Sequence, residues 1–176
     1  MMNGSDKAQA VEESLVLTLF DLTNRLSKLG EDVAAGAELT TQQWLVLLQV
    51  AGDPNFPAPS HLENRRSGTG IMASEIAAAR GVSRASVSVL VSELLKRGLV
   101  RQEEEAGDRR RKRLFVTGDG WHTIESLEDA RKSANRELFA DLDPGERSDL
   151  LGALHKCLGR LWMADGLKAR SAKPFA

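Results

Sequence analysis

Five consecutive cations, Arg109 to Arg113 in AGDRRRKRLFVT, stand just downstream of SRASVSVLVSELLKRGLV, Ser83 to Val100. Guanidinium groups present planar forks of N–H donors that match phosphate oxygens or the acceptor edge of guanine. Serine hydroxyls, as at Ser83, Ser86 and Ser88, both donate and accept. The chemistry this set favours is recognition of a polyanion. Taken alone, the run reads more readily as a solvated cationic turn. Its setting argues otherwise: between Arg80 and Arg113 ten Lys/Arg face five Asp/Glu, while the whole chain has 24 against 25. An acidic body that carries one basic sector suits a binder of polyanions.

Bond-making chemistry has little to stand on, and no catalytic residue, cofactor or metal is expected. SGTG at Ser67 to Gly70 lacks the lysine of a phosphate-binding loop and follows no strand. No serine sits in a nucleophile elbow, and the chain has no tyrosine to serve as an acid. His61, His122 and His155 are scattered, and the one cysteine, Cys157, adds no paired-ligand spacing. Placed between Leu154 and Leu158, Cys157 is expected to be packed and inert. No stretch approaches the ~18 to 20 apolar residues that span a bilayer. The segment MMNGSDKAQAVEES also lacks the basic start and apolar core of an export signal, so a cytoplasmic location is expected, with no membrane partner.

The elements that must position these groups follow from period and punctuation. Leu15, Leu19, Leu22, Leu26 and Leu29 step by four, three, four and three, which predicts a helix from Glu12 to Leu29. Its narrow seam fits a helix of its own domain or one across a dimer. Thr40 caps a second helix through Trp44, Leu45, Leu47, Leu48 and Val50. Gly52 to Gly70, rich in proline and glycine, reads as a long irregular connection. ASEIAAAR then forms a short helix with Gly81 as its left-handed stop. Ser83 caps the next helix, whose Val87, Leu90, Val91, Leu94 and Leu95 face a core, and Gly98 closes it after Lys96 and Arg97. Leu99 to Glu104 and Arg113 to Thr117 have strand character about a Gly107-Asp108 turn, a hairpin with a cationic tip. Trp121, Ile124, Leu127, Ala130, Ala134 and Leu138 mark a long helix, and DPGE at Asp143 to Glu146 starts a last one.

The fold class expected is mainly α with a small β-hairpin wing: a winged helix-turn-helix with N- and C-terminal helices, which the family resemblance given below makes dimerisation helices. Its predicted parts are a tail (1–10), the first of these helices (11–39), the DNA-binding domain (40–118, with loop 52–70), the C-terminal helices (119–165) and a tail (166–176). Two helices separated by GVS turn sharply and expose the first turn of the second, which fits a DNA major groove. Ser83, Arg84, Ala85, Ser86 and Ser88 are therefore the candidates for base readout. Arg109, Arg110, Arg111 and Lys112 suit the more negative potential of a narrow minor groove. Asp108, two residues before Arg110, is placed to hold that guanidinium in a fixed fork.

TQQWLVLL at Thr41 to Leu48, the Ser83 to Val100 segment and GDRRRKRLFVTGDG together resemble the multiple-antibiotic-resistance regulator (MarR) family, from about Glu12 to Met163. The Asp-Arg-Arg of the wing and KRGLV at Lys96 to Val100 are the most specific parts. The resemblance implies a homodimer interlocked through the first and last two helices. It implies Arg110 in the minor groove, the helix from Arg84 in the major groove, and a pseudo-palindromic double-stranded operator with half-sites ~34 Å apart. It also implies a small aromatic or phenolic effector between dimer base and head, for which Trp44 and Leu48 are candidates; an indole on an apolar face is more often simply core. Two features depart from the family: Val89 stands where many members carry a polar or basic group, and Gly52 to Gly70 is longer than usual. The expected function is a dimeric, sequence-specific transcription regulator, acting as a repressor relieved by an effector. The alternative is a winged-helix protein-interaction module, for which Val89 leaves room.

Overall fold

The computed structural model describes residues 4–56, 70–105 and 108–171. Helix α1 (Gly4–Ala34) runs past both ends of the leucine seam, because the flanking Ala, Glu and Lys residues are good helix formers that carry no apolar period. It passes into a 3-10 turn (Ala35–Ala37), and Glu38 reverses the chain at φ 55°. Helix α2 (Thr41–Ala51) then starts on a capping box: the Gln43 N–H donates to Thr40 Oγ1 at 3.2 Å and the Thr40 N–H to Gln43 Oε1 at 2.9 Å. Thr41 Oγ1 donates to the Ser27 carbonyl at 2.9 Å. The two helices cross closely at that point, where a Cβ on Gly30 would lie 2.5 Å from Thr41 Cγ2.

Helix α3 (Ala73–Arg80) and helix α4 (Arg84–Lys96) form the tight pair that the sequence predicts, with Gly81 at φ 63° between them. Strands β1 (Val100–Glu105) and β2 (Asp108–Val116) follow as an antiparallel hairpin, in register from Val100↔Val116 to Glu104↔Lys112. Beyond Glu104 the register slips, so that Glu105 pairs with Asp108. This corrects the expected hairpin: Arg109 to Lys112 lie within β2, beside a bulge, and not in a turn. The ribbon buries Val100 and Leu114 at its base, whereas Arg101 to Glu104, Arg111 and Lys112 are exposed, so charged residues there pair through their backbone as readily as apolar ones. Period alone underestimates such a strand.

Ile71 adds a third, one-residue rung to the ribbon. It exchanges backbone hydrogen bonds with Leu114 at 3.1 and 2.8 Å, a pairing that the sequence did not announce. Helix α5 (Gly118–Leu138) springs directly from β2. Thr117 caps it, accepting from the Gly120 N–H at 3.1 Å while its hydroxyl donates to the Gly98 carbonyl at 2.6 Å. Helix α6 (Pro144–Ser171) begins at the predicted signal, with the Gly145 and Glu146 N–H groups donating to Asp143 Oδ1 and the Asp143 N–H to Glu146 Oε2.

The core sits in the head. Its most deeply buried side chains, Val46, Leu47, Ile76, Val87, Leu94 and Leu114, come from α2, α3, α4 and β2, and Val33, Leu39 and Leu127 join it from the helical frame. The frame itself is bare. Leu15, Leu17 and Phe20 of α1 and Leu151, Leu161 and Met163 of α6 are more than half exposed, and α6 contributes no buried side chain among the described residues. Cys157 is exposed in the single chain, where the sequence predicts packing.

Candidate nucleic-acid interface

Ser83 fixes where α4 starts. The Ser86 N–H donates to Ser83 Oγ at 3.0 Å, and the two hydroxyls lie 2.7 Å apart. Each of these serines therefore spends part of its hydrogen-bonding capacity on the cap. Arg84, Ala85, Ser86 and Ser88 are exposed as predicted, while Val87, Val91 and Leu94 are buried beneath them.

An α-helix turns about 100° per residue, so Ala85 and Val89 lie about 160° and 200° round α4 from the inward Val87. Ser92 and Lys96 continue that outermost line, with Ser86 and Ser88 on its flanks. Arg84 lies only about 60° from Val87, nearer the shoulder of the helix than its crest. Val89, 64% exposed, thus occupies the centre of the outward face. Sequence reasoning noted it only as a departure; its spacing from Ala85 and Ser92 was the signal that placed it.

Two arginines that no local motif announces tie these helices to their neighbours. Arg97, just past α4, donates from Nη1 to the Glu38 carbonyl at 2.5 Å and from Nη2 to the Ala37 carbonyl at 2.8 Å. Its fork thereby joins the end of α4 to the α1–α2 junction. Arg80, at the end of α3, donates to Gln42 Oε1 on α2, and burial pushes its guanidinium below the ordinary arginine range. Such a group stays cationic at neutral pH.

The wing is basic but not purely so. Its two strands carry six cations and four acids, and Glu103 and Glu104 stand across the ladder from Arg113 and Lys112. Arg101 pairs with Glu103 and lays its guanidinium 4.8 Å from the centre of the Phe115 ring. This cation–π contact braces the ribbon. Arg111 and Lys112 are exposed, and Arg113 is half-buried. The side chains of Asp108, Arg109 and Arg110 lie outside the described residues, and with them the predicted Asp108–Arg110 fork. Trp44 and Leu48 are buried in the core of the head, and the histidine His61 falls outside the described residues. Among the described residues no group of three His, Cys, Asp or Glu stands together as a metal site, and no helix is long and apolar enough to cross a membrane.

A tight helix pair whose second member keeps an open outer face, followed at once by a cationic antiparallel ribbon, defines a winged helix-turn-helix. Residues 37–111, less than half of the chain, match the model of the MarR family. A transcriptional regulatory protein for the hcr operon of Thauera aromatica is 31% identical over 87 residues, 49% of this chain. That match spans 52% of the relative, about half its length.

Solved structures share the fold at low identity. A MarR family transcriptional regulator of Listeria monocytogenes complexed with a 26mer DNA superposes with TM-score 0.73 at 16% identity, over 92% of this chain and 97% of that one. A cysteine-to-serine mutant of MarR from E. coli complexed with operator DNA gives 0.68 at 17% identity, over 82% and 94%. The regulator BldR from Sulfolobus solfataricus gives 0.70 at 18%, over 90% and 99%.

Proposed function

We propose that this chain acts as a homodimeric, sequence-specific DNA-binding transcription regulator. The observation that carries the proposal is the pairing, on one core, of an outward α4 crest with a ribbon whose strand β2 holds five consecutive cations. α4 enters the major groove, while Arg109, Arg110, Arg111 and Lys112 follow the adjacent phosphates and minor groove. Phosphate contacts supply most of the affinity, so binding falls steeply with salt. The exposed leucines of α1 and α6 are the surface that a second copy covers, since soluble monomers rarely leave so large an apolar area open. A dimer of this kind reads half-sites ~34 Å apart on a pseudo-palindrome.

Repression is the proposed sign, because a dimer seated on a promoter blocks polymerase with no further surface. An aromatic or phenolic effector relieves it by favouring a dimer whose heads no longer match the half-site spacing. Also on α2, Gln49 Oε1 is buried without a hydrogen-bond partner among the described residues. A buried acceptor that lacks a donor is suited to a phenolic hydroxyl.

The test is a gel shift on the DNA that flanks the chain's own gene. A competitor-resistant shift that Arg110→Ala abolishes is expected. No shift even in dilute buffer would contradict the proposal and favour a protein-interaction module, and a strict monomer at micromolar concentration would contradict the dimer.

A further inference from the structure

The crest of α4 is apolar at its centre. Val89 is 64% exposed, Ala85 lies one turn before it, and Val82, in the turn that leads into the helix, is 44% exposed. A single exposed valine on an ordinary surface needs no explanation. This one is flanked round the helix by Ser86 and Ser88, and ten of the chain's 24 cations fall between Arg80 and Arg113.

A valine neither donates nor accepts a hydrogen bond. Pressed against a guanine, adenine or cytosine edge it would strip water from donors and acceptors and return nothing to them. In the major groove the code has one apolar group, the 5-methyl of thymine. We infer that Val89, with the small Ala85 allowing close approach, reads a thymine 5-methyl in each half-site, so that the operator holds a T·A pair opposite the middle of α4. This rests on the DNA-binding reading above and adds to it the identity of a base.

The experiment uses the full chain and an operator obtained by selection from random duplexes. Each thymine is replaced in turn by deoxyuridine, which removes the methyl and leaves O4 in place. One thymine per half-site is expected to respond, with affinity falling about fourfold for the loss of one buried methyl. Both half-sites together should lose about fifteenfold on the same basis. In Val89→Ser that response disappears, while the other deoxyuridine positions, the melting temperature and low-salt binding to random duplex stay as in the parent. Two results would overturn the inference while leaving the DNA-binding reading intact: operator-selective binding that ignores every deoxyuridine, or an equal response in Val89→Ser. Failure to bind any duplex would overturn both.

Discussion

Arg131 of α5 donates from Nη1 to Asp53 Oδ2 at 2.7 Å, which ties the helix after the wing to the turn that closes α2. Asp53 Oδ1 also accepts from the Asn55 N–H at 2.9 Å and its side-chain amide at 2.8 Å, and Arg131 reaches Glu128 as well. The ion pair is largely shielded, with 22% and 10% of the two side chains exposed. It is one of the few polar joints between head and frame.

Burial by itself would push the Asp53 carboxyl up, but the Asn55 and Arg131 donors outweigh it and the carboxyl titrates below its ordinary value. Glu128 is lowered as well, chiefly by its hydrogen bond from Arg131. A carboxylate lowered on folding adds stability that is complete above its unfolded value, about 3.9 for Asp, and is lost as pH falls through the folded one. Arg131→Met should therefore cost about 1.5–3 kcal/mol at pH 7 in denaturant unfolding, from lost charged hydrogen bonds. The gap from the parent should close as the pH drops below about 4. An equal deficit at pH 3 and pH 7 would show that the joint is not ionic.

Gly120 lies where α5 leaves the ribbon. A Cβ there would overlap the Leu99 carbonyl oxygen and lie 2.7 Å from Val116 Cγ1. Gly120→Ala should lower stability by about 1–3 kcal/mol, as forced overpacking does. Gly118, two residues earlier, has open space around its Cβ direction, so Gly118→Ala should leave the midpoint nearly unchanged. Equal effects of the two substitutions would contradict the packing described at the wing base.

Acids on β1 moderate the wing. Because Glu103 and Glu104 face Arg113 and Lys112 across the ladder, the double substitution Glu103→Gln, Glu104→Gln should tighten duplex binding and steepen its salt dependence. Asp108→Ala is expected to act the other way. If Asp108 orients Arg110, its loss weakens binding even though the wing becomes more positive. Fluorescence anisotropy over a salt series separates the two, and tighter binding by Asp108→Ala would remove the orienting role.

Gln49 buries a carbonyl oxygen with no partner among the described residues. Replacing such a group with an apolar one of similar volume is near neutral or stabilising by about 1 kcal/mol. Gln49→Met should therefore melt no lower than the parent and should blunt the release of DNA by a phenolic compound. A drop of several degrees in melting temperature would mean that the oxygen is satisfied by a partner in the parent fold.

What could be read from the sequence was what neighbours along the chain determine. Thr40, Ser83, Gly81 and Asp143 punctuate helices through bonds that span a few residues, and each stands at the predicted end. The inward face of α4 followed from its period for the same reason. The Ile71–Leu114 rung, the fork of Arg97 on Ala37 and Glu38, and the Arg101–Phe115 stack each join positions that only tertiary folding brings together. The cationic strand was hidden differently: β2 pairs through its backbone, so its charged side chains carry no periodic trace of it. At the site, Ser86 and Ser88 were legible from type, whereas Val89 required the helix to be placed on its core before its outward position meant anything.

Selection of bound sequences from a pool of random duplexes tests the central claim most directly. Two copies reading through α4 predict a motif with two-fold symmetry and half-site centres about 10 base pairs apart, one DNA turn. Recovery of no motif, or of one with a single unpaired half-site, would contradict it.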